Sequence, residues 1–263
     1  MRSKHFCLSF TSLCLLAAAD TALAEDWQYS LKAGVANAPR YSGSDERMTA
    51  PLLGGAIVSP WGVSLDTDKG LGWGYEGHAL SVSAYVGASG ARRDKNQSLH
   101  AGSKRLKGMG EIKARPQLGV SASYNLGGVI VGATLEHALK EDDHTDTGRA
   151  YTHLELSLGT NLYEGRYGSV EASLSSHFGD RAYLQTWYGV TTGQAAQSRF
   201  KAYKAGAGNI SNGMNLVWSV PISEHTQFST LLDVQYLADE AGKSPIVERR
   251  LQASVVGMVE YAF

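Results

Sequence analysis

Cysteine is nearly absent from this chain, which has 263 residues and two cysteines, Cys7 and Cys14. Both lie in the first 24 residues, so the rest of the chain cannot be a small scaffold held together by disulfide bonds. Residues 25–263 also contain no run that approaches the roughly 18 consecutive apolar residues of a membrane helix. Proline is scarce (6) and glycine abundant (30), a balance that favours strands and turns.

A basic excess is absent as well. The 24 basic and 25 acidic residues become 22 and 24 when Arg2, Lys4 and Asp20 of the first 24 residues are removed, which leaves a net charge of −2. This balance does not indicate a nucleic-acid partner. The sequence contains neither a nucleotide-binding loop nor zinc-ligand spacing, so we expect no cofactor and no metal.

The first 24 residues have the pattern of a targeting segment. Arg2 and Lys4 precede an apolar run over residues 6–19, and residues 22–24 read Ala-Leu-Ala, a small-x-small cleavage site. The apolar run is too short to span a bilayer as a helix. We predict a cleaved signal peptide over 1–24 and a single mature domain over 25–263.

The last stretch of the chain alternates with a period of two. In Leu251 to Phe263, every second residue counted back from the end is apolar, and the interleaved residues are more polar. Such alternation places the two sets on opposite faces of a strand. The stretch alone fits either the closing strand of an outer-membrane barrel or the terminal strand of a soluble sandwich.

The lengths of the connections along the whole chain decide between these two interpretations. About twelve alternating segments are separated by connections that alternate in length, apart from a short pair of strands around residues 66–70. The short connections are 59–62, 77–78, 127–128, 164–166 and 221–225, and the long ones are 37–48, 92–110, 141–148, 179–203 and 238–246. Short periplasmic turns and long extracellular loops produce this alternation of connection lengths. Aromatic residues near strand ends are typical of membrane interfaces. We therefore predict an all-β fold, a transmembrane antiparallel up-and-down β-barrel of about 12 strands.

The barrel interpretation gives the terminal strand a partner and an orientation. We expect it to close the barrel against residues 27–36, with Val259, Tyr261 and Phe263 facing lipid and Glu260 facing the lumen. Tyr261 and Phe263 are the residues to which we assign closure and assembly.

Several charged and imidazole side chains fall on the lumenal face of their strands. A carboxylate beside an imidazole could act as an acid/base pair, but polar groups also fill the interior of such barrels. We interpret the set as a structural lumenal network and predict no catalytic residue: His153, Glu155, Glu171, His177, Asp233 and Glu260. Asp142-Asp143-His144 could belong to a protease or metal site, although adjacent polar loop residues are more often simply solvated.

Five motifs in the predicted loops resemble those of the MipA/OmpV family of outer-membrane proteins, in the same order along the chain. The motifs are Tyr41-Ser42-Gly43-Ser44-Asp45, Leu106-Lys107-Gly108-Met109-Gly110-Glu111, Tyr183-Leu184-Gln185-Thr186-Trp187-Tyr188-Gly189-Val190, Tyr203-Lys204-Ala205-Gly206-Ala207-Gly208 and Ser244-Pro245-Ile246-Val247. Trp187-Tyr188 stands where the family usually has Tyr-Phe, Ala262 departs from a frequent Tyr-Arg-Phe ending, and Gly257 is one place from the usual glycine.

The resemblance implies an outer-membrane barrel rather than an enzyme. The family's namesake binds the murein transglycosylase MltA and is proposed to link it to a peptidoglycan synthase, whereas other members are described as porin-like or host-contact proteins. The expected partners are outer-membrane lipid and lipopolysaccharide, the barrel-assembly machinery and such murein enzymes. Within the loop 179–203, we single out Tyr183, Gln185, Thr186, Trp187, Tyr188 and Gly189. That loop could constrict the lumen or form an outer contact surface.

Overall fold

The computed structural model describes residues 26–97, 100–141 and 148–263, so the predicted signal peptide lies outside the described residues. Twelve antiparallel strands form a closed barrel in which each strand neighbours the next and β1 pairs with β12. The strands are β1 (Gln28–Pro39), β2 (Arg47–Val58), β3 (Val63–Asp66), β4 (Gly70–Glu76), β5 (Leu80–Ala88), β6 (Pro116–Asn125), β7 (Val129–Ala138), β8 (Tyr151–Gly165), β9 (Gly168–Gly179), β10 (Gly208–Ser223), β11 (Thr226–Leu237) and β12 (Leu251–Ala262). This architecture confirms the predicted fold class.

The terminal strand closes the barrel as expected. Leu31 pairs with Tyr261 and Lys32 with Glu260, and the ladder continues to Asn37 and Val255. The backbone N–H of Phe263 extends it by donating to the carbonyl oxygen of Tyr29 at 3.0 Å.

The period of two places the side chains of β12 as predicted. Val259, Tyr261 and Phe263 are exposed on the outer surface, where an outer-membrane barrel faces lipid. Glu260 points the other way, and its carboxylate lies 3.6 Å from the Nζ of Lys32 across the β1–β12 ladder.

Indole side chains anchor the strand ends next to the short turns. The indole N–H of Trp73 donates to the carbonyl oxygen of Trp61 at 3.1 Å, and that of Trp218 donates to Tyr167 at 2.9 Å. An amphipathic ring with its N–H satisfied by a turn suits the membrane interface. Outer-membrane barrels have short periplasmic turns and longer extracellular loops, so the short turns mark the periplasmic end and the long connections the extracellular end.

The long connections contain helices that the alternation pattern did not predict. They are α1 (Arg181–Tyr188), α2 (Thr192–Gln197) and α3 (Asp239–Gly242), together with a 3₁₀ turn at Lys104–Leu106. Within the described part of the chain, no helix is long and apolar enough to cross a membrane.

Gly119 provides a direct test of the packing in the wall. It pairs with Tyr85, whose ring covers it on the lumenal side, and a Cβ at this position would overlap the ring. We expect Gly119→Ala to lower the free energy of unfolding by about 1–3 kcal/mol, because the ring must shift. Urea unfolding in lipid vesicles, followed by the gel mobility of the folded barrel, measures the change.

Gly159→Ala is the matched control for this substitution. A Cβ at Gly159 would make its nearest contact with the Cβ of Ser173 at 3.4 Å, an ordinary van der Waals distance. Equal unfolding midpoints for the two variants would contradict the packing described for Tyr85.

Candidate functional site

Four extracellular connections pack together into a structure that we call the plug, formed by the described residues of 40–46, 89–115, 180–207 and 238–250. Its side chains form two buried apolar clusters, the second of which also includes Ile210 of β10 and Leu237 of β11, and Tyr203 and Val247 pack against both clusters. The first cluster contains Tyr41, Leu106, Met109, Val190, Phe200 and Ile246, and the second contains Leu184, Tyr188, Ala205, Ile210, Leu237 and Ala241.

The plug lies across the mouth of the barrel. Leu106 and Met109 come from the connection between β5 and β6, whereas Tyr41 and Ile246 come from connections beside β1 and β12. These connections start on opposite sides of a twelve-stranded ring. Side chains from both sides can share one buried cluster only if the connections bridge the opening.

The first family-like motif, residues 41–45, forms hydrogen bonds to other connections of the plug. The hydroxyl of Tyr41 donates to the carbonyl oxygen of Ile246 at 3.1 Å, and the hydroxyls of Ser42 and Tyr188 lie 2.7 Å apart. The carbonyl oxygen of Gly43 accepts from two backbone N–H groups of the last connection, at 2.7 and 3.0 Å. Gly43 has φ 96°, and a Cβ there would press against Val247, so the motif needs glycine at this position.

Helix α1 carries the third motif and brings it inward. The carboxylate of Asp180 accepts from the backbone N–H of Tyr183 at 2.7 Å, which caps the first turn. Leu184 and Tyr188 are buried on the inner face of the helix. The loop 179–203 could constrict the lumen or form an outer contact surface, and in the structure it packs inward.

The other residues singled out in this loop have structural contacts. The side-chain oxygen of Gln185 accepts from the backbone N–H of Ala205 at 3.0 Å, and Thr186 is fully buried. Gly189 ends α1, and a Cβ there would overlap the side chain of Gln185. The carbonyl oxygen of Trp187 accepts from the guanidinium of Arg92 at 2.5 Å.

Ion pairs hold the upper surface of the plug. The guanidinium of Arg105 contacts the carboxylates of Asp45 at 2.5 Å, Glu46 at 3.2 Å and Glu248 at 2.6 Å. Arg199 adds a second contact to Glu248, also at 2.6 Å. Arg105 therefore joins its own connection to those of Asp45 and Glu248, which lie 60 and 143 residues away in sequence.

Arg92 is a buried cation beneath this surface. Burial lowers its pKa from 12.5 to about 10, while the nearby Tyr41 and Tyr188 oppose the shift. Burial also raises the pKa of Tyr41 to about 12. At neutral pH the guanidinium is therefore charged and the phenol neutral, which suits the hydrogen bond to Trp187.

A polar network lies directly under the plug. The ring of Tyr183 stacks on His153 at 5.2 Å between centroids. The Nε2 of His153 lies 3.3 Å from the Nδ1 of His177, and its Nδ1 lies 3.2 Å from a carboxylate oxygen of Glu136. The hydroxyl of Tyr85 donates to the same carboxylate at 2.6 Å.

The structure separates the six predicted lumenal residues. His153 and His177 contact each other, and Glu155 lies opposite His177 in the β8–β9 ladder. Asp233 accepts from Gln235 on its own strand at 3.3 Å. Glu171 lies opposite Asn161 near the periplasmic end, and Glu260 pairs with Lys32. The expected set is therefore one cluster with outlying members.

Sequence reasoning missed Glu136, the carboxylate that bonds to His153. Glu136 follows the apolar set of β7, and its alternation already places it on the lumenal face. Its link to His153 depends on the register between β7 and β8, which the sequence does not fix. The contact of Tyr85 on β5 with Glu136 on β7 likewise depends on register, through Gly119 of β6.

The two imidazoles of this network are buried. His153 and His177 are 8% and 3% exposed, and the ring of Tyr183 stacks on that of His153. Among the described residues, no group of three His, Cys, Asp or Glu side chains is placed to hold a metal. Asp142-Asp143-His144 lies outside the described residues.

Comparison with known proteins identifies the family. Residues 31–263 match the family model described as MltA-interacting protein MipA. The chain belongs to the MipA family. It is 28% identical to the outer membrane protein Omp26La of Vibrio anguillarum and 26% identical to OmpV of Vibrio cholerae, in each case over 73% of this chain and 69% of the relative. Like these relatives, it is an outer-membrane protein.

Solved barrels also resemble the MipA-family fold at low sequence identity. An outer membrane channel from Pseudomonas putida F1 is 11% identical, with a TM-score of 0.46 over 92% of this chain and 97% of that one. An anion-selective porin from Comamonas acidovorans is 14% identical, with a TM-score of 0.37 over 82% and 60%.

Ile246 provides a test of the plug. Its side chain is fully buried in the first cluster, so we expect Ile246→Ala to destabilise the plug locally by about 2–4 kcal/mol. Amide hydrogen exchange should become faster in 181–207 and 239–250, while the strands keep their protection. Ile222→Ala, at an exposed site near the periplasmic end, is the control. Unchanged exchange in the plug would contradict its packing.

Proposed function

We propose that this MipA-family protein is a closed interaction barrel that holds a murein transglycosylase at the outer membrane and links it to peptidoglycan synthesis there. The family description supplies the kind of partner. The observation that carries the proposal is the plug, which bridges the extracellular mouth with buried apolar clusters.

The plug argues against an open pore. Solute pathways in outer-membrane porins are polar and filled with water, whereas here apolar side chains from four connections are buried against one another over the lumen. The same cover argues against an enzyme, because it separates the lumenal imidazoles from the outside. The protein then acts by contact, through surfaces outside the lumen.

The periplasmic surface is small, and it includes the hairpin of β8 and β9. Thr160 pairs with Val129, the first residue of β7, and β8 continues to Gly165 beyond that level. Arg166 and Tyr167 are exposed in the turn, and the guanidinium lies 4.4 Å from the ring centroid. This tip offers a cation and an aromatic ring, a combination that is favoured at protein interfaces.

Conductance tests the closed state. We expect the protein in planar bilayers to show no reproducible openings, and a variant with residues 181–206 replaced by a short Gly-Ser linker to conduct, because α1 and Tyr183 no longer cover the lumen. A variant with a Gly-Ser linker at 166–167, in the periplasmic turn, is the control and should stay closed. Clear openings of the unaltered protein would instead support a porin-like channel.

Direct binding tests the partner. We expect a purified MltA-type transglycosylase to bind the barrel in nanodiscs, and Arg166→Glu to weaken binding by about tenfold, as loss of a well-placed interface charge does. Glu76→Lys, a charge reversal at the β4 end next to another periplasmic turn, is the matched control. Surface plasmon resonance measures both variants. If the transglycosylase and a peptidoglycan synthase both fail to bind the unaltered barrel, the proposal is wrong.

A further inference from the structure

The wall of the barrel is incomplete above the short hairpin of β3 and β4. Only Ala56, Ile57 and Val58 of the twelve-residue strand β2 pair with β3. On the other side, β4 pairs with β5 only as far as Val86. The turn at 67–69 therefore ends partway up the wall, while β2 continues to Arg47.

The missing wall forms a notch, bounded by the β2 edge from Arg47 to Leu53, the turn 67–69 and the end of β5 at 87–88. Three strand spacings of about 4.8 Å separate β2 from β5, so the notch is roughly 14 Å wide. It lies above the turn, towards the long connections. It therefore opens into the outer leaflet of the membrane.

The edge of β2 presents backbone groups to this notch. The N–H and carbonyl oxygen of Gly55 bond to Thr67, both at 3.1 Å, so Gly55 directs its backbone towards β3. In an antiparallel ladder, alternate residues direct their backbone groups the same way, which places those of Leu53, Pro51 and Thr49 along the open edge. No described residue forms a hydrogen bond with the edge-facing groups of these three.

Pro51 and Leu53 make the lower part of this edge apolar and unsuited to another strand. Leu53 is 81% exposed, because no neighbouring strand flanks it above the turn. It also lines a shallow apolar groove with Leu31, Ala33 and Val259. Pro51 has no N–H to donate and so interrupts any added ladder. The chemistry of the edge favours acyl chains over β-strand addition.

A strongly basic connection spans the top of the notch. The segment 89–115 begins at the end of β5, and the N–H of Gly102 donates to the carbonyl oxygen of Arg40 at 2.8 Å, beside the end of β1. It has two acidic residues, Asp94 and Glu111, against eight basic ones: Arg92, Arg93, Lys95, Lys104, Arg105, Lys107, Lys113 and Arg115.

Two lysines of this segment are available to an anion. The hydroxyl of Ser103 donates to the carboxylate of Glu46, so Lys104 comes close to the top of β2. Lys104 and Lys107 are exposed and line a surface pocket between this segment and residues 197–199 at the end of α2. Neither ammonium group is paired with a carboxylate in the described part of the chain, whereas Arg105 already binds three.

We propose that the notch binds a phosphorylated, multi-acyl lipid of the outer leaflet, the chemistry of lipopolysaccharide. Its acyl chains lie along Leu53 and Pro51, and its phosphates contact Lys104 and Lys107. Polar amide and hydroxyl groups near the headgroup of such a lipid can bond to the open backbone groups of β2, which would be costly to leave unsatisfied in hydrocarbon. This proposal does not depend on the partner proposed above.

Titration of the full barrel in detergent with bisphosphorylated, hexa-acylated lipid A, followed by native mass spectrometry, tests the headgroup contacts. We expect one tightly bound lipid, and about 25-fold weaker binding for Lys104→Gln with Lys107→Gln, since each lysine near an anionic lipid contributes about a fivefold factor. Lys140→Gln with Lys243→Gln, exposed lysines of other connections, should bind like the unaltered barrel.

Three results of the titration would overturn the proposal. They are equal affinity of the Lys104/Lys107 pair variant and the unaltered protein, equal affinity for phosphatidylglycerol and lipid A, and displacement of the lipid by inorganic phosphate alone.

Photo-crosslinking in cells tests the position of the acyl chains. A photoreactive residue at Leu53 should form more lipopolysaccharide adduct than one at Leu118, which is exposed on β6 where both neighbouring strands pair with it. The adduct at 53 should fall when Lys104 and Lys107 are changed, and the adduct at 118 should not. Equal adducts at both positions, or no dependence on the lysines, would contradict the notch as the binding site.

Discussion

Backbone hydrogen bonding around a closed ring is the constraint on which the rest of this structure depends. Hydrocarbon offers no partner for an N–H or carbonyl group, so a sheet can cross the membrane only if its first and last strands meet. The ladder from Leu31 with Tyr261 to Asn37 with Val255 satisfies that requirement. Once the ring is closed, each strand has one face towards lipid and one towards the lumen. The alternation of apolar and polar residues along the chain follows from this geometry.

The wall and the plug have different roles, because the wall forms the barrel and the plug closes its mouth. The wall is made of alternating residues that many sequences could supply, whereas the five family-like motifs converge on the extracellular connections and α1. Tyr41, Leu106, Val190 and Ile246 meet in one buried cluster there. Tyr183 joins the plug to the polar network of His153, His177 and Glu136 below it. In this chain, the five family-like motifs therefore mainly close the mouth, which is why contact rather than transport is the function we favour.

The closed ring is weakest where β3 and β4 are short. Above that hairpin, β2 keeps its neighbour β1 on one side and has an unpaired edge on the other. Pro51 on this edge and the basic segment above it are consistent with each other, because one disfavours a strand and the other attracts an anionic headgroup. The extracellular half of the protein then combines a sealed mouth with an exposed place for lipid.

The sequence by itself determined the barrel, its strand number and the face of each strand residue, because a period of two and the length of each connection are local properties. It also placed the closing strand and located the connections that carry the family motifs. Contacts between distant segments were decided by the tertiary structure alone. Tyr41 and Ile246 are 205 residues apart, and Glu136 reaches His153 through the register of β7 with β8. The notch could not be predicted from the sequence either. The sequence showed two short strands, but only the strand pairing showed which edge they leave open. Register and loop packing depend on the whole ring, so no single stretch of sequence encodes them.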